Sequence, residues 1–136
     1  MSWRESLIRL ADLEIETLQK RLKYIADRRF ALELVLESLQ VEGRQESVHA
    51  TNDAQAGWYL VGYREALKQR QAKAQADLNV CIMEEQGARD ALGRAFEEQK
   101  KYENLAEAAR KAAAGVAAKR ETAALDEIAL RRTGTR

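Results

Sequence analysis

From Ile8 onward, apolar residues recur at alternating spacings of three and four: Ile8, Ala11, Ile15, Leu18, Leu22, Ile25, Leu32, Leu36 and Leu39, with Arg29 the one polar member of the series. A sustained 3.5-residue repeat keeps one narrow stripe facing a partner helix, and it predicts left-handed coiled-coil packing. Leu7, Leu10, Leu13, Leu34 and Val35 lie beside the stripe and widen it, so this helix is expected to meet more than one neighbour. A second and longer series runs every seventh residue through Leu60, Leu67, Ala74, Cys81, Ala88, Ala95, Tyr102, Ala109, Val116, Ala123 and Leu130. Its companion column (Tyr63, Arg70, Asp77, Glu84, Ala91, Glu98) is mixed, and Leu78, Leu92, Ala106 and Ala113 offer a neighbouring alternative.

Between the two series the pattern lapses. The stretch GRQESVHATNDAQAG carries Gly43, Ser47, Thr51, Asn52 and Asp53, residues that suit turns and helix caps. The expected layout is therefore helix one over about 3–42, a connector at 43–55, helix two over about 56–131 and a tail at 132–136. The whole chain, 1–136, then forms a single coiled-coil hairpin. The fold class is all-α: a long two-helix antiparallel coiled-coil hairpin. At 1.5 Å per residue helix one is about 60 Å long and helix two about 110 Å, so helix one covers its partner to about Arg94–Lys100 and the rest overhangs.

Composition agrees. The chain has no proline, which removes a backbone donor and clashes within a helix, and it is rich in strong helix formers. Much of its 46% apolar content is alanine, which supports a seam better than a thick core. Acid-first pairs four apart, including Glu85–Arg89, Asp90–Arg94 and Glu127–Arg131, suit a solvated helix face. The 23 basic and 22 acidic residues leave a net charge of +1, which argues against nucleic acid as a partner. No apolar run approaches the roughly 18 residues a membrane span requires, so direct membrane insertion is not expected and the cytoplasm is.

Nothing in the chain points to an enzyme, a metal or a cofactor. His49 has no second histidine or cysteine at ligand spacing, and Cys81 falls in the apolar column, where it reads as a small hydrophobe. Glu84 with Glu85, and Glu97 with Glu98, read as solvated charges. Trp58, Tyr59 and Tyr63 hold three of the eight aromatics, and are expected to anchor a partner, to close the hairpin end against Leu36 and Leu39, or to do both. Residues 105–136 carry seven basic and four acidic side chains, a local +3 suited to a helix C-terminus or to an acidic protein surface.

The stretches ESLIRLADLEIETLQKRL, AGWYLVGYREAL, EEQGARDALGRAFEEQKKYENLAE and ETAALDEIALRR, in this order and over nearly the whole length, resemble the FliJ family of flagellar type III export proteins, in its alphaproteobacterial branch. The resemblance implies a non-catalytic protein, similar to the central stalk of rotary ATPases, seated in the pore of the hexameric flagellar export ATPase. It also implies contact with the export-gate membrane protein and with export chaperones, at the cytoplasmic face of the inner membrane at the flagellar base. By that analogy Trp3, Leu7, Leu10, Val116, Leu125, Ile128, Leu130, Arg131 and Arg132 face the ATPase ring, while Trp58, Tyr59 and Tyr63 face the gate. The alternatives are the equivalent stalk of a virulence injectisome and an unrelated coiled-coil scaffold or adaptor. In isolation a monomer is expected, because helix one has a partner within its own chain.

Overall fold

The computed structural model describes residues 2–52 and 56–134, the side chains of 50–52 and 56–58 excepted. Two helices account for all of these residues but Ser2: α1 spans Trp3–Asn52 and α2 spans Ala56–Gly134. Helix α1 opens on a capping box that follows from the sequence Ser-Trp-Arg-Glu. The Glu5 amide donates to Ser2 Oγ at 3.2 Å, and the Ser2 amide donates to Glu5 Oε2 at 3.3 Å. This reciprocal pair satisfies donors that the first helical turn would otherwise leave without partners.

The expected connector at 43–55 is corrected over 43–52, where α1 continues. Ser47 there, and Glu42 just before this stretch, are partners across the helix pair rather than turn formers. Ser47 Oγ accepts from Arg64 at 3.2 Å, and Glu42 accepts from both Tyr63 and Arg70. Gly43 is helical too: a Cβ on it would stand 2.7 Å from Leu67 Cδ2, so the missing side chain makes room for a neighbour. At the other end α2 runs to Gly134, past the boundary expected at 131.

The residues group into two units, 16–93 and 1–15 with 94–136. In the first, the two helices run antiparallel and their buried side chains form two small clusters. Ile25, Cys81 and Ala88 make one, with Leu22 and Leu32 packed on it. Leu39, Leu67 and Ala74 make the other, with Leu36 and Tyr63 packed on it. Each residue named here belongs to one of the heptad columns read from the sequence, Tyr63 to the companion column of the second segment. The second column of α2 is the neighbouring one, carried by Leu78, Glu85 and Leu92. Leu34 and Val35, which widen the apolar stripe of α1, stay exposed.

Glu85 is only 4% exposed, which corrects its reading as a solvated charge. Arg29, the polar member of the α1 series, is the reason. Its Nε donates to Glu85 Oε2 at 2.5 Å, and Arg89 Nη2 donates to Glu85 Oε1 at 2.7 Å, so both carboxylate oxygens are engaged. Arg29 also donates to Glu33 at 2.9 Å, and the hydrogen bonds to Glu33 and Glu85 hold its guanidinium even more firmly protonated than usual. Buried charge is tolerated only when paired and hydrogen-bonded in this manner.

In the second unit Ala11, Ile15 and Ala95 are buried and Asp12 accepts from the Gln99 amide. Ser2, Arg4, Glu5 and Ile8 line a groove with Glu103, Ala106, Ala109, Arg110 and Ala113, so pairing reaches Ala113. The expected limit at Arg94–Lys100 is thereby corrected. Because α1 continues to Asn52, less of α2 is left over than the earlier turn implied. From Arg110 through Gly134 every residue of α2 is exposed.

Leu22→Asp and Leu32→Asp are each expected to abolish most of the cooperative helical melt, since each puts a desolvated charge on the Ile25–Cys81–Ala88 cluster at a cost of roughly 2–5 kcal/mol; unchanged melting followed by circular dichroism would refute the register. The same melts should rank the glycines. Gly87→Ala meets nothing within 4 Å and should stabilise by about 0.5–1 kcal/mol, whereas Gly43→Ala must displace Leu67 and should gain less.

Candidate partner-binding surfaces

Two stretches of α2, together with the start of α1, gather the residues singled out in the sequence. The first is the C-terminal part of α2 beyond Ala113, where Val116, Leu125, Ile128 and Leu130 are exposed, Leu130 at 72%. They are few for a stretch of this length and are spread around the helix rather than gathered in one stripe. Arg131 donates to Glu127 Oε1 at 2.9 Å, and Thr133 Oγ1 donates to the carbonyl oxygens of Ala129 and Leu130 at 3.2 and 2.9 Å. These bonds and the basic last turn, Arg131 and Arg132, favour a continuous helix to its end.

At the start of α1, Trp3 is exposed beneath the Arg4 guanidinium, which stands 4.7 Å from the ring centroid. Leu10 is exposed, and Leu7 is half-buried. Trp3 and Leu10 therefore offer apolar surface in the same unit as the exposed end of α2, and Leu7 contributes to packing as well.

The second stretch is the start of α2. Tyr59 is 71% exposed, whereas Tyr63 is half-buried against Leu39, Leu67 and Ala74. The Tyr63 hydroxyl donates to Glu42 Oε1 at 2.5 Å and Arg70 Nη2 donates to the same oxygen at 3.3 Å. Tyr63 thus packs across the hairpin, and Tyr59 presents its ring outward. Trp58 lies in α2, but its side chain falls outside the described residues.

Chemistry is sparse elsewhere. Cys81 is 1% exposed, with its thiol donating to the Ile25 carbonyl at 3.4 Å. Among the described residues no group of three His, Cys, Asp or Glu side chains could hold a metal ion, and no helix is long and apolar enough to cross a membrane. What the geometry offers is exposed apolar residues on helices, framed by charge.

This is an all-helical, antiparallel coiled-coil protein that leaves apolar residues exposed at the start of α1 and along the end of α2. Two curated relatives, each called Flagellar FliJ protein and both from Caulobacter vibrioides (strains NA1000 / CB15N and ATCC 19089 / CIP 103742 / CB 15), are 47% identical over 130 residues, covering 96% of this chain and 94% of theirs. The chain belongs to the flagellar FliJ family. No family model matches it, and no solved structure does.

The Glu42–Tyr63 bond makes stability pH-dependent at both ends. The Tyr63 hydroxyl, with help from Arg70, holds the Glu42 carboxyl below its ordinary 4.5, so that contribution is present above pH 4.5 and lost as acid protonates Glu42. Glu42 in turn raises the Tyr63 phenol above 10.0, so its contribution is present below pH 10 and lost as the phenol ionises. Tyr63→Phe is expected to lower the melting temperature by a few degrees at pH 7 and to shrink the wild-type advantage both below pH 4.5 and above pH 10; a melting difference constant across pH would show that ring packing alone is at stake.

Proposed function

We propose that this chain is the non-catalytic central stalk and coupling component of the flagellar type III export ATPase complex. It promotes assembly of the hexameric ATPase ring and links it to the export-gate membrane protein and to export chaperones. It acts in the cytoplasm, recruited to the inner-membrane face at the flagellar base, with the whole chain working as one coiled-coil element. The observation that carries this reading is the exposed end of α2, where Val116, Leu125, Ile128 and Leu130 continue a helix that α1 no longer covers. A solvated helix so poor in large apolar residues gains its stability from a partner more readily than alone.

In this reading Trp3, Leu7 and Leu10 at the start of α1, together with Val116, Leu125, Ile128, Leu130, Arg131 and Arg132, contact the ring. Apolar residues set dissociation, and the basic last turn speeds encounter. Tyr59, with Trp58, offers an aromatic anchor to the gate protein, while Tyr63 closes the hairpin one turn further along α2. Flagellar rather than virulence export is favoured by the name of the Caulobacter relatives. A scaffold in which α1 pairs with another chain is disfavoured by the buried clusters that α1 and α2 form together.

The test is turnover by the purified export ATPase with added full-length chain, a chain truncated after Ala114, or Arg131→Ala/Arg132→Ala. Truncation is expected to leave the helical melt of the paired residues intact and to remove the stimulation. The double alanine variant should lose stimulation partly and in a salt-dependent way. Full stimulation by the truncated chain would refute the assignment of this segment to the ring.

A further inference from the structure

Beyond Ala113 the order of charges on α2 has a symmetry that the paired part lacks. The column Val116, Ala123, Leu130 repeats at seven and is centred on Ala123. At 100° per residue, Lys119 and Asp126 fall together on one flank of this column, and Arg120 and Glu127 fall together on the other. Within one chain the members of each couple are seven residues apart, about 10.5 Å along the axis, and do not meet. Lys119, Arg120 and Asp126 make no ion pair among the described residues.

We propose that this segment, residues 114–132, binds the same segment of a second copy of the chain as an antiparallel, two-fold symmetric helix pair centred on Ala123. A two-fold axis perpendicular to both helices keeps each flank facing its own counterpart. Lys119 then meets Asp126 of the partner subunit, and Arg120 meets Glu127 of the partner subunit, with the reciprocal contacts making four ion pairs. In the same register Val116 packs against Leu130 of the partner subunit, and the two Ala123 residues meet on the axis. A parallel pair would instead set Lys119 against Arg120 and Asp126 against Glu127, like charge on like. Charge order thus selects both the occupant and its direction.

Length agrees with this choice. Pairing with the start of α1 reaches Ala113, and the proposed register places Arg132 of the partner subunit opposite Ala114, the next residue along. Moreover, Val116, Ala123 and Leu130 continue the every-seventh column that α1 covers earlier in α2, so the second copy occupies the side that α1 vacates. The area is small, so the dimer dissociates on dilution. The hairpin itself needs no second chain. The proposal is independent of the stalk reading, although a partner bound to the same residues would compete with it.

Sedimentation of the full-length protein over a concentration series at low ionic strength is expected to show a reversible monomer–dimer equilibrium that shifts toward monomer with salt. Lys119→Glu/Arg120→Glu should weaken dimerisation roughly tenfold or more, because four attractions become repulsions. Adding Asp126→Lys/Glu127→Lys should restore it, with helicity by circular dichroism unchanged throughout. In a Cys81→Ser background, Ala123→Cys should form a disulfide-linked dimer on mild oxidation. Gly115→Cys should not, because its two copies lie sixteen residues apart in this register, about 24 Å and beyond disulfide reach. A protein monomeric at every concentration, charge reversal without effect or without rescue, or equal cross-linking at 115 and 123 would each overturn the proposal.

Discussion

Two helices alone can hide only a strip of side chains, and every large apolar residue outside that strip remains in water. In this chain the α2 side of the strip is furnished mostly with small residues: Ala74, Cys81 and Ala88 oppose Ile25 and Leu39 on α1. Small residues give modest burial per position, so stability accumulates along the length rather than in a centre. The absence of proline follows from the same constraint, since one break in either helix would end the accumulation.

A strip of repeating small residues also specifies its register weakly, because a slip of one heptad sets similar residues opposite each other. Arg29 and Glu85 resolve that ambiguity. A slipped pair would leave a carboxylate that is 4% exposed with Arg89 alone and one oxygen without its cross-helix guanidinium, which costs more than a lost apolar contact. Glu42, shared by Tyr63 and Arg70, acts alike nearer the end of α1. Register is thus held by a few polar contacts, and adhesion by many apolar ones.

Most of the fold was legible in the amino-acid sequence, and the departures have identifiable causes. The series from Ile8 to Leu39 and from Leu60 to Ala109 is the buried or half-buried face, because a seven-residue period admits few other meanings. The continuation of α1 through Gly43 was not legible, because a glycine followed by polar residues signals a turn unless one knows that Leu67 needs the space. Glu85 was misread for a related reason. Its place in the column with Leu78 and Leu92 was visible, but acidic residues are ordinarily excluded from seams, and only its distance to Arg29 explains the exception. The exposed ends stood out as apolar residues beyond the reach of α1, whereas Tyr59 and Tyr63 look equivalent in sequence and differ only in what lies beside them.

Cys81 brings a different property into view. Its sulfur is sealed between the helices, with its proton directed at the Ile25 carbonyl. A thiol so enclosed reacts with alkylating reagents only when the surrounding turns separate, so its labelling kinetics amount to a clock on local unzipping. The molecule therefore contains a single intrinsic thiol probe, able to register how often α1 and α2 part around Ile25 and Cys81.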